Sequence, residues 1–483
     1  MKKFSTISIA IFFCLPSYAQ NVGIGIATPQ ALLHIKGNAD TSQLVIDANA
    51  TQSNTRPLIR LRKADGTDLL HIHSDNIYNT FIGLNAGRIN VVSNFLGIYN
   101  TFIGSGTGYS NTSGYFNTAS GTNALHYNTI GHDNTANGLA ALSNNTTASD
   151  NVAIGSRALV SQSFNNGGVI WISNNVAVGN DALYQNNPTS VYNGVNNTAI
   201  GTAALNRNTT GTGNTATGMN ALYNNQNGFY NTAIGKDALI NNTDADYSTA
   251  IGYQALFNNN AYYNTANGSF TLYKNTTGIG NTAIGEEALY NNVGGSYNIA
   301  VGYNSGTYYT YPNINNSIGI GNNDIQIGTN NQIVMGNFSS TGYLSHNPWG
   351  TFSDARIKTN IKEEVKGLEF ITRLRPVTYY KSIKAMVAVT GSKETKDFPG
   401  KYDVEKIKFS GFLAQEVEKA ANESGYDFSG LHKPNNSREM YALSYETFVV
   451  PLVKAVQEQQ IIIEKQNKLI EDLLKRVTAL EKK

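Results

Sequence analysis

The chain has almost no cysteine. A single residue, Cys14, occurs among 483, and it lies within a short apolar stretch near the N-terminus. The residues before it, Ile11 to Phe13, lack the small side chains of a lipoprotein processing site, so we interpret Cys14 as an ordinary apolar residue. The rest of the chain has no thiol, which excludes disulfides, thiolate metal sites and cysteine nucleophiles.

Long hydrophobic runs are also missing. The apolar stretch from Ile7 to Leu15 is too short to span a bilayer, and no later stretch approaches ~20 apolar residues. A basic start at Lys2 and Lys3, followed by this stretch and by Ser17 to Ala19, is typical of a secretory signal peptide. We therefore predict a signal peptide over residues 1–19, and an exported protein at the cell surface or outside the cell, without a membrane span.

Charge is scarce in one part of the chain only. Residues 78–352 hold 5 Lys+Arg and 9 Asp+Glu, whereas residues 353–483 hold 23 and 19. Neither part has the one-sided basic excess of a nucleic-acid-binding protein, so nucleic acid is not an expected partner. The composition predicts an N-terminal β segment over 20–77, a shaft over 78–352, a soluble domain over 353–448 and a terminal helix over 449–483.

A repeat with a period of 17 residues fills the uncharged part. Asn-Thr-Ala-Ile-Gly stands at 197–201, 231–235 and 281–285, with close variants elsewhere. We call the last residue of each copy the marker Gly; it falls at 83, 104, 121, 138, 155, 179, 201, 218, 235, 252, 268, 285 and 302. Each copy predicts two short strands around a Gly bend. One copy cannot bury a core alone, so the copies must stack into an elongated β-roll or solenoid.

Three columns of the repeat have a physical meaning. Asn stands four residues before nearly every marker Gly, where stacked amides can form a ladder. Ala stands two before it and Leu four after it, as inward positions. Because each Ala supplies under ~1 kcal/mol of burial, we expect this interior to be completed against partner chains. The repeat resembles the β-roll heads of trimeric bacterial adhesins, which implies a homotrimer.

An aromatic column stands five residues before the marker Gly. It could stack on the faces of a bound surface glycan, or it could form a ring stack that seals the edge of the roll. The members are Tyr78, Tyr99, Phe116, Tyr230, Tyr247, Tyr263 and Tyr297.

The segment before the repeat predicts a hairpin. Residues 59–62 and 70–73 flank the turn at 64–66, with Ile59, Leu61, Leu70 and Ile72 inward. His71 and His73 then share the outer face, where they could ligate a metal or simply be solvated. We favour the solvated face and expect no metal site and no cofactor. Residues 21–25 and 32–35 resemble the opening of secreted tail-fibre-like proteins.

The C-terminal segment carries the motifs with chemistry. It opens with Ser-Asp-Ala-Arg-Ile-Lys at 353–358, and later carries Leu-Arg-Pro-Val-Thr-Tyr at 374–379, Gly-Phe-Leu-Ala-Gln-Glu-Val at 411–417 and Tyr445 before a long helix. In this order the motifs resemble the auto-processing chaperone domain of phage tail spikes such as endosialidases. The resemblance implies an intramolecular chaperone that directs folding and trimerisation.

The resemblance also implies a cleavage site and its catalytic pair. The chain would be cut between Phe352 and Ser353, with Ser353 as nucleophile and Lys358 as base, in a single-turnover serine autopeptidase reaction. This is compatible with general chemistry, since a serine needs a neighbouring base and a desolvated lysine can act as one. Asp354 and Arg356 could stabilise an oxyanion or form a salt-bridged capping turn.

Residues 449–483 predict a coiled coil. Apolar residues alternate at steps of three and four over more than four heptads. One seam position holds Val449, Val456, Ile463, Ile470 and Val477, and the other holds Leu452, Gln459, Gln466, Leu473 and Leu480. An amphipathic helix packed on its own domain is the alternative.

Together these features predict a mainly β, trimeric surface fibre resembling a tail fibre or adhesin, with a small α+β chaperone domain. Its expected partners are copies of itself and a surface glycan or host receptor. A glycan-degrading tailspike is the rival, because glycosidases need two carboxylates. The candidates for it are Asp133, Asp150, Asp181, Asp237, Asp244, Asp246, Glu286, Glu287 and Asp324. A third hypothesis is a regular Thr ladder that binds ice or mineral.

Overall fold

The computed structural model describes residues 22–24, 26, 30–37, 42, 44–48, 54–307, 311–322, 326–337, 339–340, 353–391, 400–434, 436–437 and 439–482. The predicted signal peptide, with Cys14, and Phe352 lie outside the described residues.

Each copy of the repeat forms one strand of three residues that ends just before the marker Gly. The prediction of two strands per copy is wrong, because the residues after the Gly leave strand geometry. In the copy around Gly235, Asp237 and Leu239 have φ values of 58° and 51°, which lie in the left-handed region. The chain therefore curls into a tight turn rather than a second strand.

The strands stack in parallel and in register, each paired with the copies before and after it. Thr232 faces Thr249, and Ala233 faces Ala250. This arrangement confirms the solenoid that the repeat predicts. The 15 parallel strands are Thr80–Ile82, Thr101–Ile103, Thr118–Ser120, Thr135–Asn137, Val152–Ile154, Val176–Val178, Thr198–Ile200, Thr215–Thr217, Thr232–Ile234, Thr249–Ile251, Thr265–Asn267, Thr282–Ile284, Ile299–Val301, Ile318–Ile320 and Ile333–Met335.

An antiparallel hairpin starts the ladder. Strands Ile59–Arg62 and Asp68–His73 pair with each other, and the second pairs antiparallel with Thr80–Ile82. Three short parallel pairs lie outside the ladder: Val22–Ile24 with Leu33–Ile35, Ala148–Ser149 with Trp171–Ile172, and Gly306–Thr307 with Gln326–Ile327.

The marker Gly is required at the end of each strand. Gly235 has φ 133°, and a Cβ placed there would lie 2.4 Å from the carbonyl oxygen of Gly252 in the next turn. Only glycine allows both this φ and this approach of the two backbones. The close spacing of the turns therefore depends on the Gly column.

The interior of the solenoid is closed within a single chain. In most turns the Ala two before the marker Gly, the Ala three after it and the Leu four after it are fully buried, as Ala233, Ala238 and Leu239 show. The expectation that partner chains complete this interior is wrong. The apolar residues fill only part of it, and buried amides fill the rest.

The predicted Asn ladder is present and joins consecutive turns. Asn214 Oδ1 accepts the backbone N–H of Asn231 at 2.9 Å, and its Nδ2 donates to Gly228 O at 2.8 Å. These side chains are buried, so every satisfied donor and acceptor avoids a desolvation cost of about 1–3 kcal/mol. The ladder therefore connects the turns in addition to the apolar core, which also runs through them.

A second column of buried amides runs beside the first, seven residues after the marker Gly. Asn225 Nδ2 donates to Asn208 Oδ1 of the previous turn at 2.9 Å and to Gly228 O at 3.0 Å. Its other members are Asn90, Asn111, Asn128, Asn145, Gln162, Asn186, Asn208, Asn242, Asn259, Asn275 and Asn292.

Asp75 closes both columns at their N-terminal end. Its Oδ1 accepts Asn79 Nδ2 at 2.7 Å, and its Oδ2 accepts Asn90 Nδ2 at 2.8 Å. Asn79 and Asn90 are the first amides of the two columns, so they have no earlier turn to receive their protons. One carboxylate supplies the two missing acceptors.

Replacing Asp75 with alanine is expected to loosen the first turns of the shaft. One N–H of Asn79 and one of Asn90 lose their acceptor, at a cost of about 2–4 kcal/mol for the two. Hydrogen exchange of amides at 80–103 should accelerate by roughly 30–1000-fold, while amides at 232–251 should be unchanged. The Asp75→Asn control keeps one acceptor, so its exchange rate should lie between those of the wild type and Asp75→Ala. Equal protection in all three proteins would contradict the role of Asp75 as the end of the two columns.

The C-terminal part is a small α+β unit. Its helices are α1 (Leu368–Ile371), α2 (Ile383–Thr390), α3 (Ala414–Ser424) and α4 (Val449–Glu481), and its strands pair antiparallel as Val377–Tyr379 with Phe409–Gly411 and Leu431–His432 with Ala442–Leu443. Short 3-10 turns cover Ala355–Ile357, Asp403–Lys406 and Tyr445–Phe448. Its core joins α1, α3 and the start of α4 through Phe370, Val417, Phe428 and Phe448.

Candidate functional site

Ser353 lies at the start of the described C-terminal part, just before a single 3-10 turn. Asp354 caps this turn: its carboxylate accepts the backbone N–H of Arg356 at 2.9 Å and pairs with the Arg356 guanidinium at 2.5 Å. This hydrogen-bonded pairing lowers the pKa of Asp354 and raises the pKa of Arg356. The two residues form the salt-bridged capping turn that was one of their two expected roles.

The same turn brings Lys358 back to Ser353. Because the chain turns once between them, Lys358 Nζ donates a hydrogen bond to Ser353 Oγ at 2.7 Å. This is within the reach that a nucleophile and its base require. Both side chains are exposed in the single chain. Ser353 and Lys358, which the family resemblance predicts as nucleophile and base, are therefore in contact, on an open surface.

The later motifs of the segment contact one another. Val377 of the first motif faces Gly411 of the second in an antiparallel pair, and Arg375 pairs with Glu416 at 2.5 Å. The Tyr445 hydroxyl accepts the backbone N–H of Phe412 at 3.0 Å. Residues that are far apart in the sequence thus form one framework that leads into α4.

Helix α4 has two different faces. On one face Pro451 and Ala455 are buried against the unit, and Glu458 accepts the first backbone N–H of α1, that of Leu368, at 2.8 Å. On the other face the residues of the predicted seam are all exposed, from Val449 to Leu480. The helix packs on its own domain through the first face, and the seam is left uncovered.

Six members of the aromatic column of the shaft form two ring stacks. Tyr230 and Tyr247 lie 5.5 Å apart between ring centroids, as do Tyr247 and Tyr263, with interplanar angles of 22° and 8°. Tyr99 and Phe116 stack in the same way at 4.9 Å. Within each stack the rings cover each other's faces, which is the stack along the edge that was one of the two alternatives.

The histidines of the hairpin do not share a solvated face. His73 faces Phe81 in the strand pairing, is 6% exposed, and packs on that ring at 5.2 Å; burial lowers its pKa. His71 instead lies 3.1 Å from Asp68. The sequence prediction is wrong because alternation gives the two faces of a strand, whereas the neighbouring strand decides which face is inward. Leu61 and Ile72 are accordingly exposed.

Of the eight candidate carboxylates in the described part of the chain, Asp133 and Asp150 come together on the shaft; Asp324 lies outside the described residues. Ligand atoms of Asp133, Asp150 and His132 all lie within 4.8 Å of one another, and His132 Nδ1 is 2.8 Å from Asp133. Other candidates have partners of a different kind: Asp181 pairs with Arg157, and Asp237 with Lys236. In a glycosidase, burial raises the pKa of the carboxyl that acts as general acid above that of its partner. Neither carboxyl of this pair is buried, since Asp133 is exposed and Asp150 is half-buried.

Two features of the shaft were missed from the sequence. The second Asn column was visible as Asn seven residues after the marker Gly, but it lies in the Asn-rich turn where other Asn residues obscure it. Asp75 lies before the first copy of the repeat, so periodicity gives no signal for it.

Comparison with known protein families gives a match for one segment of the chain. None of the helices among the described residues is long and apolar enough to cross a membrane. A search of curated proteins gives no match to this chain. The family model described as "Chaperone of endosialidase" matches residues 353–426, and this match begins at Ser353 itself. Residues 353–426, which include the Ser353–Lys358 contact, thus match the chaperone domain of endosialidases.

Proposed function

We propose that this protein is an exported, homotrimeric surface fibre whose C-terminal domain acts as an intramolecular chaperone and then cuts the chain between Phe352 and Ser353. The observation that carries the proposal is the 2.7 Å hydrogen bond between Lys358 Nζ and Ser353 Oγ. It occurs at the first residue of the segment that matches the chaperone family. The solenoid supports the fibre, because an elongated stack of turns suits a shaft.

The reaction is an acyl transfer from nitrogen to oxygen. Ser353 Oγ attacks the carbonyl carbon of Phe352 while its proton passes to the neutral Lys358 amine. The bond from that carbon to the Ser353 nitrogen then breaks as the nitrogen takes up a proton. Water hydrolyses the resulting ester, which leaves a carboxylate at Phe352 and a free amine at Ser353.

Assembly would control this reaction. A lysine amine accepts a proton only when it is neutral, and removal from water favours the neutral form. Since Lys358 and Ser353 are exposed in the single chain, the desolvation must come from neighbouring copies. Cleavage then follows trimer formation, and the released fibre of residues 20–352 cannot easily refold, so its persistence is kinetic. Its ligand would be a surface glycan or a host receptor.

Intact-mass analysis of the expressed protein tests the proposal. The wild-type chain should give two masses, for residues 20–352 and 353–483, with Ser353 as the N-terminus of the smaller piece. Ser353→Ala should give one mass for the uncut chain, which still assembles because the hydroxyl takes no part in packing. A wild-type protein that assembles and stays whole would refute the cleavage, and a monomer would refute the fibre.

A further inference from the structure

The outer face of the parallel sheet carries two columns along the whole shaft, the first mostly half-buried and the second mostly exposed. The middle residue of each strand, usually Ala, points inward, so the first and third residues point outward. We call these outward residues, from Thr80 and Ile82 to Ile333 and Met335, the Thr/Ile stripe. Besides Met335, all are Thr, Ile or Val except Ser120, Asn137 and Asn267, and none is charged.

The stripe is uncovered in the single chain. The third-position residues Ile154, Ile200, Ile234 and Ile284 are 41–44% exposed, although the interior behind them is completely closed. A long uncharged row in which most third-position residues are Ile or Val is typical of an interaction surface. β-Branched side chains also have little rotamer freedom to lose when they are covered.

The size of the stripe suits an interface between proteins. With strands ~4.8 Å apart, 15 strands span roughly 70 Å, and two columns about 10 Å wide present on the order of 700 Å² per chain. A standard stable interface buries about 800 Å² per partner. The stripe alone is therefore close to the area that holds two proteins together.

We propose that the Thr/Ile stripe is the contact between copies of this chain, with the stripes of the fibre facing a common axis. This inference rests on the proposed trimer. Parallel chains aligned by the seam of α4 would place identical strands at the same height, so that column meets column over every turn. A receptor would contact only a few turns of the shaft. A contact between copies explains why the outward Thr, Ile and Val residues continue through all 15 strands.

Cysteine cross-linking tests this contact. The chain expressed without residues 1–19 has no cysteine, so a single introduced thiol is the only reactive one. In the uncut Ser353→Ala background, we compare Ile200→Cys on the stripe with Arg207→Cys, an exposed position in the same turn. Ile463→Cys on the seam of α4 reports the oligomer itself. Each protein is treated with a short bis-maleimide and analysed on a denaturing gel.

Ile200→Cys should cross-link between chains at least about tenfold more than Arg207→Cys, and to an extent comparable with Ile463→Cys. If Ile463→Cys cross-links while Ile200→Cys does not, the proposed contact through the stripe is refuted, whereas the proposed trimer is retained. In that case, reaction of the Ile200→Cys protein with a monofunctional maleimide would indicate a face open to another surface, such as ice or mineral. If neither position cross-links and light scattering gives a monomer, both proposals fall.

Discussion

Replacing Lys358 with methionine is expected to slow cleavage before Ser353 by at least about 100-fold, because the hydroxyl loses its proton acceptor. Methionine keeps an unbranched side chain but has no amine. The chain should still fold and assemble, since Lys358 is exposed and its only described side-chain contact is with Ser353. The appearance of the fragment 353–483 with time, followed by mass spectrometry, measures the rate.

Lys362→Met provides the matched control. Lys362 lies in the same segment, and its exposed side chain is 3.9 Å from Glu364. The Lys362→Met protein should cleave at the wild-type rate. Lys358→Arg should be as slow as Lys358→Met, because a guanidinium stays protonated and cannot act as base. Normal cleavage by both Lys358 variants would exclude a catalytic role for this residue.

The second large effect is expected from the seam of α4. Replacing both Ile463 and Ile470 with aspartate should abolish the oligomer, since each seam layer would bury carboxylates without partners, at several kcal/mol per layer. If assembly desolvates the Ser353–Lys358 pair, cleavage should be lost in the same protein. Light scattering gives the mass of the particle, and the gel gives the extent of cleavage.

Gln457→Asp with Thr478→Asp is the control for the seam. Both positions are exposed and lie outside the seam, so the same added charge and similar loss of helix propensity should leave the oligomer intact. A seam variant that stays trimeric would show that the Thr/Ile stripe or another surface holds the chains together without the seam. A seam variant that is monomeric and still cleaves would show that cleavage does not depend on assembly.

The architecture was largely readable from the sequence because a repeat fixes its own geometry. A Gly every 17 residues, preceded by Ala and Asn at constant distances, is sufficient to predict stacked turns and an amide ladder. The number of strands per turn was not readable, because it depends on left-handed residues such as Leu239, and leucine rarely adopts that conformation. Propensity therefore favours a second strand where the chain bends.

The closed interior was not predictable from side-chain volumes either. Counting Ala and Leu alone suggested a core too thin for one chain, because the buried amides of residues such as Asn225 were read as turn residues. The Ser353–Lys358 pair was named from a family resemblance, and its contact depends on one turn capped by Asp354. The inward position of His73 was not predictable, because it depends on the neighbouring strand. Alternation within one strand does not show on which face that neighbour packs.

Most hydrogen bonds of the second Asn column have the same direction: Asn225, for example, donates to Asn208 of the turn before it and accepts from Asn242 of the turn after it. Internal turns that share this pattern are thus interchangeable, whereas the first turn is closed by Asp75. Duplication or loss of a 17-residue unit would lengthen or shorten the shaft by one strand spacing, ~4.8 Å, without a change at either end. The reach of such a fibre can accordingly be adjusted in evolution by unequal recombination, while its foldability is preserved.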